Sequence, residues 1–506
     1  MPLTLFNTLG RELQVLEPRE AGRIGFYGCG PTVYNYAHIG NLRAYVTHDI
    51  LTRTLRRRGY EVTHVMNITD VGHLSGDNDE GDDKMVKSAE ERGKSVLEVA
   101  KFYTDAFFND TERMNILRPT VVCKATEHVG DMIALIKKIE AAGFTYSAGG
   151  NLYFDISKFP SYGELALLRL DEKKAVSRTE VDENKRNPQD FVLWFTRSKF
   201  ENQALVWDSP WGRGYPGWHI ECSAMSIKYL GEQFDIHAGG IDHVPIHHTN
   251  EIAQSEAATG KKPWVRYWVH NEFLVLDKGK MSKSAGGFLT LQSLVDKGYD
   301  PLDYRYFLLG GHYRSQLQFS WDSLEGAKNA RKSLTDRIRA LAERSAEAES
   351  RGSSLEKADP AKTGPLPDSA AGPAEMPGGK APDAVYAGKA GTYLAAFDKA
   401  LEDDLSTPRA LAELWGLLRD AEVNPADALL AAFDMDRVLG LNLAEAAEAR
   451  PEEDTALVQE IEALIAERAA AKKAKDFAKA DGIRSSLKEK GIILEDSPAG
   501  TTWRRN

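Results

Sequence analysis

The pattern of apolar and polar residues near the N-terminus predicts a strand, a helix and a second strand in succession. Residues 22–30, GRIGFYGCG, form a short apolar run that ends in glycines, which is typical of a strand followed by a turn. In the next segment the apolar residues recur at helical spacing, at Leu42, Tyr45, Val46 and Ile50. Residues 61–70, EVTHVMNITD, are again strand-like. This order favours a parallel α/β sheet that binds ligands at the carboxyl ends of its strands.

Helical and strand-like patterns alternate over the rest of the N-terminal part. Residues 87–143 are mostly helical in pattern, and the apolar runs at 151–156 and 190–195 are typical of strands. We interpret residues 1–320 as one catalytic unit with an inserted segment at about 110–205. The predicted fold class is therefore α/β, a Rossmann-like parallel sheet with insertions, followed by an all-α C-terminal region.

The C-terminal part changes composition once and then returns to a helical pattern. We predict four segments there: a helical one at 321–345, a Pro-, Gly- and Ala-rich flexible linker at 346–383, a helical bundle at 384–445 and a last region at 446–506. In the bundle, apolar residues follow helical spacing at Leu411, Leu414, Trp415 and Leu418. From Arg468 to Arg505 ten basic residues stand against five acidic ones. This local excess fits either a phosphate-binding surface or a solvated helix face.

Composition narrows the class of protein. A chain of 506 residues suggests about three domains, and no apolar run approaches the roughly 20 residues of a membrane span. The N-terminus has neither the basic nor the apolar region of a secretory signal. Three cysteines are too few for a disulfide framework, so we expect a cytoplasmic protein without membrane association. The net charge of −11 argues against indiscriminate nucleic-acid binding.

Two short motifs lie far apart in the sequence and complement each other chemically. The first is HIGN, His38 to Asn41, and the second is KMSKS, which begins at Lys280. Gly40 lets a planar base approach the backbone, and His38 can donate to phosphate oxygens. Lys280 and Lys283 can neutralise the charge that develops as pyrophosphate leaves a nucleoside triphosphate. Taken singly, HIGN also fits a capped turn and KMSKS a solvated basic loop.

The cysteines suggest a metal site as a second feature. Cys29 follows the first strand, Cys222 lies in HIECSAM, and His247 and Glu251 are four residues apart on one face of a predicted helix. Thiolate, imidazole and carboxylate groups together suit zinc. The residues alone leave other histidines as competing candidates, namely His219, His237, His243 and His248.

The two motifs resemble the HIGH and KMSKS signatures of class I aminoacyl-tRNA synthetases. The surrounding blocks are similar to those of the cysteinyl-tRNA synthetase family, among them FYGCGPTVYNYAHIGN, NKRNPQDFVLW, PWGRGYPGWHIECSAMS, HHTNEIAQSEA and GIILEDSPAGTTWRR. They cover nearly the whole chain apart from the Pro-rich linker. One departure is Asn41, which stands where the signature has a second histidine.

The resemblance implies a set of site residues. Zinc would be bound by Cys29, Cys222, His247 and Glu251. The catalytic residues would be His38, Asn41, Lys280 and Lys283. ATP, accompanied by Mg²⁺, would be bound by these four together with Gly40 and Ser282. The amino acid would contact Gly30, Thr32 and Trp218.

The activity that the resemblance implies is ATP-dependent ligation of L-cysteine to tRNA(Cys) through a cysteinyl-adenylate. Zinc would select the substrate through its thiol, the helical C-terminal regions would bind the tRNA, and we expect a monomer. One alternative is a ligase that transfers cysteine to an amino sugar, although such relatives lack the terminal anticodon-binding region. Another is a degenerate synthetase that only binds RNA, which the change at Asn41 would suggest and the intact KMSKS argues against.

Overall fold

The computed structural model describes ten stretches of the chain, which together leave out the termini and several internal segments. They are residues 2–71, 84–167, 182–197, 205–276, 288–352, 388–448, 455–474, 476–489, 491–497 and 500–505. The chain divides into two compact units, Met1–Leu443 and Ala444–Asn506.

The strands are short and number fifteen in the described residues. They are β1 (Thr4–Asn7), β2 (Glu12–Val15), β3 (Arg23–Gly28), β4 (Glu61–Ile68), β5 (Val121–Lys124), β6 (Thr145–Ala148), β7 (Asn151–Phe154), β8 (Phe191–Phe195), β9 (Tyr215–Pro216), β10 (Phe234–Gly240), β11 (Val265–Asn271), β12 (Leu274–Leu276), β13 (Leu317–Phe319), β14 (Ile492–Ser497) and β15 (Gly500–Arg505).

The α-helices of the described residues are also fifteen. They are α1 (Ile39–Arg57), α2 (Lys84–Arg92), α3 (Val96–Arg113), α4 (Val129–Ala141), α5 (Trp218–Leu230), α6 (His247–Thr259), α7 (Leu291–Val295), α8 (Pro301–Leu309), α9 (Trp321–Gly352), α10 (Lys389–Glu402), α11 (Thr407–Arg419), α12 (Pro425–Leu439), α13 (Leu443–Glu448), α14 (Thr455–Lys473) and α15 (Phe477–Glu489). None of these helices has the length and apolar character needed to cross a membrane.

A five-stranded parallel sheet forms the centre of the first unit. Its strand order is β11-β10-β3-β4-β5. Strands β4 and β5 follow β3 on one side, and β10 and β11, which come later in the chain, lie on its other side. The predicted α/β class with a Rossmann-like sheet is confirmed. In such a sheet, ligands bind beyond the carboxyl ends of the strands where the strand order reverses. Here that point lies between β3 and β10.

The inserted segment differs from the expected range of about 110–205. Strand β5 pairs in parallel with β4 in the central sheet, so the residues up to Lys124 belong to the core of the unit. The separate structure is an antiparallel sheet, β6-β7-β8-β9, which extends to Pro216. The boundary was placed too early because β5 is only four residues long and buries a single side chain, Cys123.

The helices after the central sheet continue the first unit. Helix α9 runs to Gly352, seven residues into the segment expected to be linker, because AEAESRG still contains good helix formers. The rest of the predicted linker, residues 353–383, lies outside the described residues. Helices α10, α11 and α12 pack together, and α12 also packs on α1 and α9.

The second unit combines two helices with a hairpin. Helices α14 and α15 pack together, and the antiparallel strands β14 and β15 complete a small core of Ile461, Leu487, Ile492 and Leu494. The hairpin corrects the expectation that the C-terminal region is entirely helical. Ile492 and Leu494 are buried at alternate positions, which is the periodicity of a strand. The alternation is hard to recognise in the sequence because the apolar run is short.

Candidate metal centre and nucleotide site

Four polypeptide segments meet where the strand order of the central sheet reverses. Cys29 directly follows β3, and its N–H donates to the carbonyl oxygen of Ala238 in β10 at 3.0 Å. Cys222 lies one turn into α5, and His247 and Glu251 lie in the first turns of α6. The strand end therefore presents one thiol to the side chains of two helices.

The four candidate ligands of the sequence analysis lie together. One ligand atom from each of Cys29, Cys222, His247 and Glu251 falls within 4.8 Å of every other, and all four residues are buried. Nε2 of His247 lies 2.9 Å from Oε1 of Glu251. That oxygen makes no aligned hydrogen bond with any described residue. A buried carboxylate oxygen of this kind is available to a cation.

A second set of potential ligands shares two of these residues. Cys29 and Glu251 also lie within 4.8 Å of ligand atoms of His237 and His248. Nε2 of His248 is 3.3 Å from Sγ of Cys29, and Nε2 of His237 is 2.9 Å from Oε2 of Glu251. Both histidines were competing candidates in the sequence. The cluster thus offers two overlapping ways to bind one metal ion.

The charged forms in the cluster stabilise one another. A hydrogen bond from Cys29 lowers the pKa of Cys222 to about 6 despite burial. Burial disfavours the charged form of His247, but Glu251 and Cys222 outweigh it and raise its pKa to about 10. For Glu251, burial is likewise outweighed, here by His237 and His247, and the pKa falls to about 2. Burial and the neighbouring Cys222 raise the pKa of Cys29. At neutral pH these values give a thiolate at Cys222 and a carboxylate at Glu251, with an imidazolium at His247 between them.

A chain of hydrogen bonds orients the histidines behind the cluster. Nδ1 of His248 lies 2.7 Å from Nε2 of His270, whose Nδ1 lies 2.7 Å from Oγ1 of Thr8. The ring of Trp268 stacks on His237 with centroids 4.7 Å apart. Such outer contacts hold metal ligands in place and tune their basicity.

The other expected substrate contacts line the same end of the sheet. The ring of Trp218, the first residue of α5, lies 4.4 Å from that of His247. The N–H of Gly30 donates to Oδ1 of Asn67 at 2.8 Å, and a Cβ at Gly30 would lie only 1.7 Å from the carbonyl oxygen of Asn67. Thr32 forms an isolated parallel β-bridge with Thr69. Glycine is therefore required at position 30 to let the chain pass against β4.

His38 is the N-cap of α1, and its geometry assigns its tautomer. Its Nδ1 accepts the N–H of Asn41 at 3.2 Å, so a neutral ring carries its proton on Nε2. Desolvation lowers the pKa of His38 from its ordinary value, which keeps the ring neutral at pH 7. Oδ1 of Asn41 accepts the N–H of His38 at 3.2 Å and completes a capping box. A Cβ at Gly40 would lie 2.9 Å from the imidazole of His38, so glycine there makes room for that ring.

Three expected phosphate-binding residues cannot be placed. Lys280, Ser282 and Lys283 lie outside the described residues. The chain before them is described to Leu276 and resumes at Phe288, whose ring lies 5.7 Å from that of His38.

Two residues that shape this site are not among those predicted from the sequence. Asn67 positions Gly30, and Arg43, in the first turns of α1, binds backbone carbonyl groups more than 220 residues away. Asn67 lies in the block NITD, whose polar residues at a strand end were a usable signal. No local pattern distinguishes Arg43 from a solvated helix residue.

Family models match most of the chain. Residues 15–329 match the catalytic domain of class I tRNA synthetases of the cysteine type, described as "tRNA synthetases class I (C) catalytic domain". Residues 454–504 match the "Cysteinyl-tRNA ligase anticodon binding domain".

Curated relatives match it from end to end. A cysteine--tRNA ligase of Treponema denticola is 58% identical over 508 residues, and one of Borrelia hermsii is 42% identical over 508 residues, each covering 100% of both chains. Among solved structures, a methionyl-tRNA synthetase of Mycobacterium tuberculosis bound by methionyl-adenylate aligns with a TM-score of 0.54 at 14% identity. That alignment covers 85% of this chain and 95% of the other, and it supports the fold.

Proposed function

The chain belongs to the cysteinyl-tRNA ligase family of class I aminoacyl-tRNA synthetases, and from that premise we propose how its residues divide the work. Its activity is that of an ATP-dependent cysteine--tRNA ligase. The amino-acid side of the site is the buried cluster around Cys29, and the nucleotide side is the turn at His38. The two sides are adjacent because Cys29 and His38 are nine residues apart at the end of the same strand, β3.

The cluster is a zinc site. Two sulfur ligands, an imidazole and a carboxylate fit zinc better than magnesium or calcium, which prefer all-oxygen sites. The unaligned buried oxygen of Glu251 and the lowered pKa of Cys222 support a cation at this position. Bound zinc would supply a Lewis acid that binds a substrate thiol as a thiolate.

Of the two overlapping ligand sets, we assign the metal to Cys29, Cys222, His247 and Glu251. This choice uses both buried thiols, and it leaves His237 to orient Glu251 and His248 to orient Cys29. The alternative set would leave the buried thiol of Cys222 outside the ligands of the metal. Thiolates are among the ligands that zinc prefers, which favours the first set.

The cluster can distinguish cysteine from serine by chemistry rather than by size. The two amino acids differ by one atom, and a pocket that relies on shape alone discriminates poorly between close analogues. A thiol ionises readily and is a soft ligand, whereas a hydroxyl stays protonated and binds zinc more weakly. Trp218 lies beside His247, where it can form one wall of the amino-acid pocket.

On the nucleotide side, His38 binds phosphate as a neutral donor. Its Nδ1 is occupied by the N–H of Asn41, and its Nε2–H remains to donate to a phosphate oxygen. The family resemblance assigns Lys280, Ser282 and Lys283 to the same phosphates, with Mg²⁺ accompanying ATP. Because Oδ1 of Asn41 is used in the helix cap, its main role here is to orient His38.

The match of residues 454–504 to an anticodon-binding domain favours transfer of cysteine to tRNA over transfer to an amino sugar. The same match alone would fit a protein that only binds RNA. The matched catalytic domain and the intact cluster favour the enzyme. A cytoplasmic monomer remains our prediction for the location and assembly.

The test is a pair of assays on the full chain. Cysteine-dependent exchange of pyrophosphate into ATP should occur, and cysteinylation of tRNA(Cys) should follow in the same preparation. Exchange without transfer to tRNA would favour the amino-sugar ligase, and the absence of both would favour RNA binding alone. Zinc content measured on the same preparation should approach one ion per chain, and a chelator that removes it should abolish exchange.

A further inference from the structure

Arg43 makes an unusually complete set of contacts for a residue without an assigned role. It lies in the second turn of α1, two residues after Asn41, and is only 3% exposed. Nη1 of its guanidinium group lies within hydrogen-bond distance of the carbonyl oxygens of Glu272 (2.8 Å) and Phe273 (2.6 Å). Nη2 lies within hydrogen-bond distance of those of His312 (3.1 Å), Tyr313 (3.4 Å) and Ser315 (2.5 Å), so the four N–H groups of the two nitrogens are shared among five acceptors. All five acceptors are more than 220 residues away in sequence.

These acceptors belong to one structural feature. Glu272 and Phe273 join β11 to β12, and residues 312–315 precede β13. Strands β12 and β13 pair in parallel, and the two connections are tied together by hydrogen bonds from Glu272 N to Tyr313 O and from Leu317 N to Phe273 O. Arg43 therefore joins helix α1 to the start of this two-stranded sheet.

The same end of α1 contacts the chain again after β12. The N–H of Ile39 donates to the carbonyl oxygen of Leu289 at 2.8 Å, and His38 forms an antiparallel bridge with Thr290. In sequence, β12 ends at Leu276, four residues before Lys280. The described residues on both sides of the KMSKS sequence are thus attached to the first two turns of α1, the helix that His38 caps.

A guanidinium group suits this task better than any other side chain. It is planar, always charged and offers five N–H donors in a fixed fork, so its bonds define both distance and orientation. A lysine ammonium offers three donors on a flexible stem and cannot reach five carbonyl groups that lie on two connections. Packing alone would not require the N–H groups of one side chain to point at carbonyl oxygens of two separate connections.

We propose that Arg43 is a positioning residue for adenylate formation, which holds the β12–β13 sheet in place against the His38 turn. The residue touches neither substrate and acts through the backbone of β12 and its neighbours. This inference rests on the proposed phosphate role of His38. Misplacing groups by about 1 Å can cost on the order of 100-fold in rate, so a loosened sheet should lower turnover more than binding.

The test compares Arg43→Lys with the wild-type chain in cysteine-dependent pyrophosphate exchange. We expect kcat to fall by about 10- to 100-fold, since positioning is lost. The KM for cysteine and the zinc content should stay within about threefold of wild type, because the metal cluster uses other residues. A folded Arg43→Lys protein with wild-type kcat would overturn the proposal.

Arg57→Lys is the matched control. Arg57 is a partly buried arginine near the other end of α1, where its side chain, 9% exposed, pairs with Asp398 and Asp434. It lies 14 residues further on, which is about 21 Å along the helix. The Arg57→Lys variant should lose thermal stability but keep kcat within about threefold of wild type. Equal losses of kcat in the two variants would show a general effect of stability and would overturn the positioning role.

A second variant guards against misfolding. Arg43→Ala, assayed about 15 °C below its own unfolding midpoint, should regain several-fold in kcat when guanidinium at tens of millimolar is added, and sodium at equal ionic strength should restore nothing. If Arg43→Ala is folded and guanidinium restores nothing, or if neither variant folds at 10 °C, the residue serves stability alone and the proposal is wrong. An inactive wild-type chain would instead overturn the proposed function.

Discussion

Two buried clusters of charged side chains in the first unit look alike in burial and differ in how their polar atoms are matched. One is the metal cluster around Glu251, and the other is centred on Asp49 in α1. Both carboxylates are fully buried. The comparison shows how a buried charge that serves stability differs from one that serves a ligand.

The cluster at Asp49 satisfies its own polar atoms. Asp49 accepts the N–H of Leu117 at 2.9 Å, pairs with Arg53 at 2.9 Å and receives a bond from Arg305. The three guanidinium nitrogens of Arg305 all donate, and their remaining acceptors are the carbonyl oxygens of Leu439, Met114 and Asn115. The group joins α1, α8 and α12.

The metal cluster gathers groups whose protons a metal ion can replace. Cys29, Cys222 and Glu251 are potential anions, and Oε1 of Glu251 is without an aligned hydrogen bond among the described residues. Such a set of ligand groups can accept a cation in place of its protons, whereas matched donors and acceptors leave no place for one. The two clusters therefore differ in whether their polar atoms have hydrogen-bond partners, and not in how deeply they are buried.

The largest expected effect comes from unbalancing the structural cluster. Asp49→Asn leaves the buried Arg305 and the partly buried Arg53 without their anion and should lower the free energy of unfolding by about 3 to 5 kcal/mol. Arg53 and Arg305 outweigh burial and hold the pKa of Asp49 below its ordinary value. Its contribution is present above the aspartate range near pH 4 and is lost as the pH falls through the folded-state pKa. Urea unfolding at several pH values measures this.

Its control is Asp105→Asn, which removes an exposed pair with Lys101. That change should cost no more than about 0.5 kcal/mol. In both variants, kcat per folded molecule should remain near the wild-type value. A metal loss on Asp49→Asn would mean that the two clusters are not independent and would weaken the comparison.

The next effect concerns the functional cluster itself. Cys222→Ser removes a thiolate ligand, so zinc retention should fall and the KM for cysteine should rise by about 100-fold or more, above the range typical of outer contacts. The KM for ATP should change little, because His38 lies on the nucleotide side. Metal analysis and exchange kinetics with cysteine and with serine check both points.

Met225→Ala is the packing control for that experiment. Met225 is buried in the same helix, α5, and its truncation should cost about 2 to 5 kcal/mol without loss of zinc. A Cys222→Ser protein with full zinc content and unchanged KM for cysteine would exclude Cys222 as a ligand and favour the set with His237 and His248.

A smaller effect is expected from the outer histidine. His237→Asn removes the contact that orients Glu251 and should weaken zinc binding by about 10- to 100-fold while the site still fills at saturating metal. Competition with a zinc-binding dye measures the affinity. Complete loss of zinc in His237→Asn, with retention in Cys222→Ser, would reverse the assignment of the two ligand sets.

The sequence predicted the parts of this site that depend on local order. Cys29 at a strand end and His247 and Glu251 at helical spacing follow from short patterns, as does the parallel sheet. The contact of His237 with Glu251 does not, because His237 approaches it only after β10 and α6 pack, whereas His248 lies three residues before Glu251 on the same helix. The roles of Asp49 and Arg43 were also hidden, since their partners lie up to 272 residues away and many are backbone atoms that leave no sequence pattern.

The smallest effect is expected at the N-terminal cap of α1, where Asn41 and His38 bond to each other. Oδ1 of Asn41 accepts the N–H of His38, so Asn41→Ala should lower the free energy of unfolding by about 1 kcal/mol, the usual net contribution of one hydrogen bond. Asn41→Asp keeps the acceptor and places a negative charge at a helix N-terminus, which is favourable, so its stability should match that of wild type. Thermal unfolding of the three proteins at one pH separates these values. If Asn41→Ala is as stable as wild type while its KM for ATP rises sharply, Asn41 serves the nucleotide directly and the cap is incidental. If alanine costs stability and aspartate does not, the asparagine at this position of the signature acts through His38, as a matched donor and acceptor pair, in the same way as the Asp49 cluster.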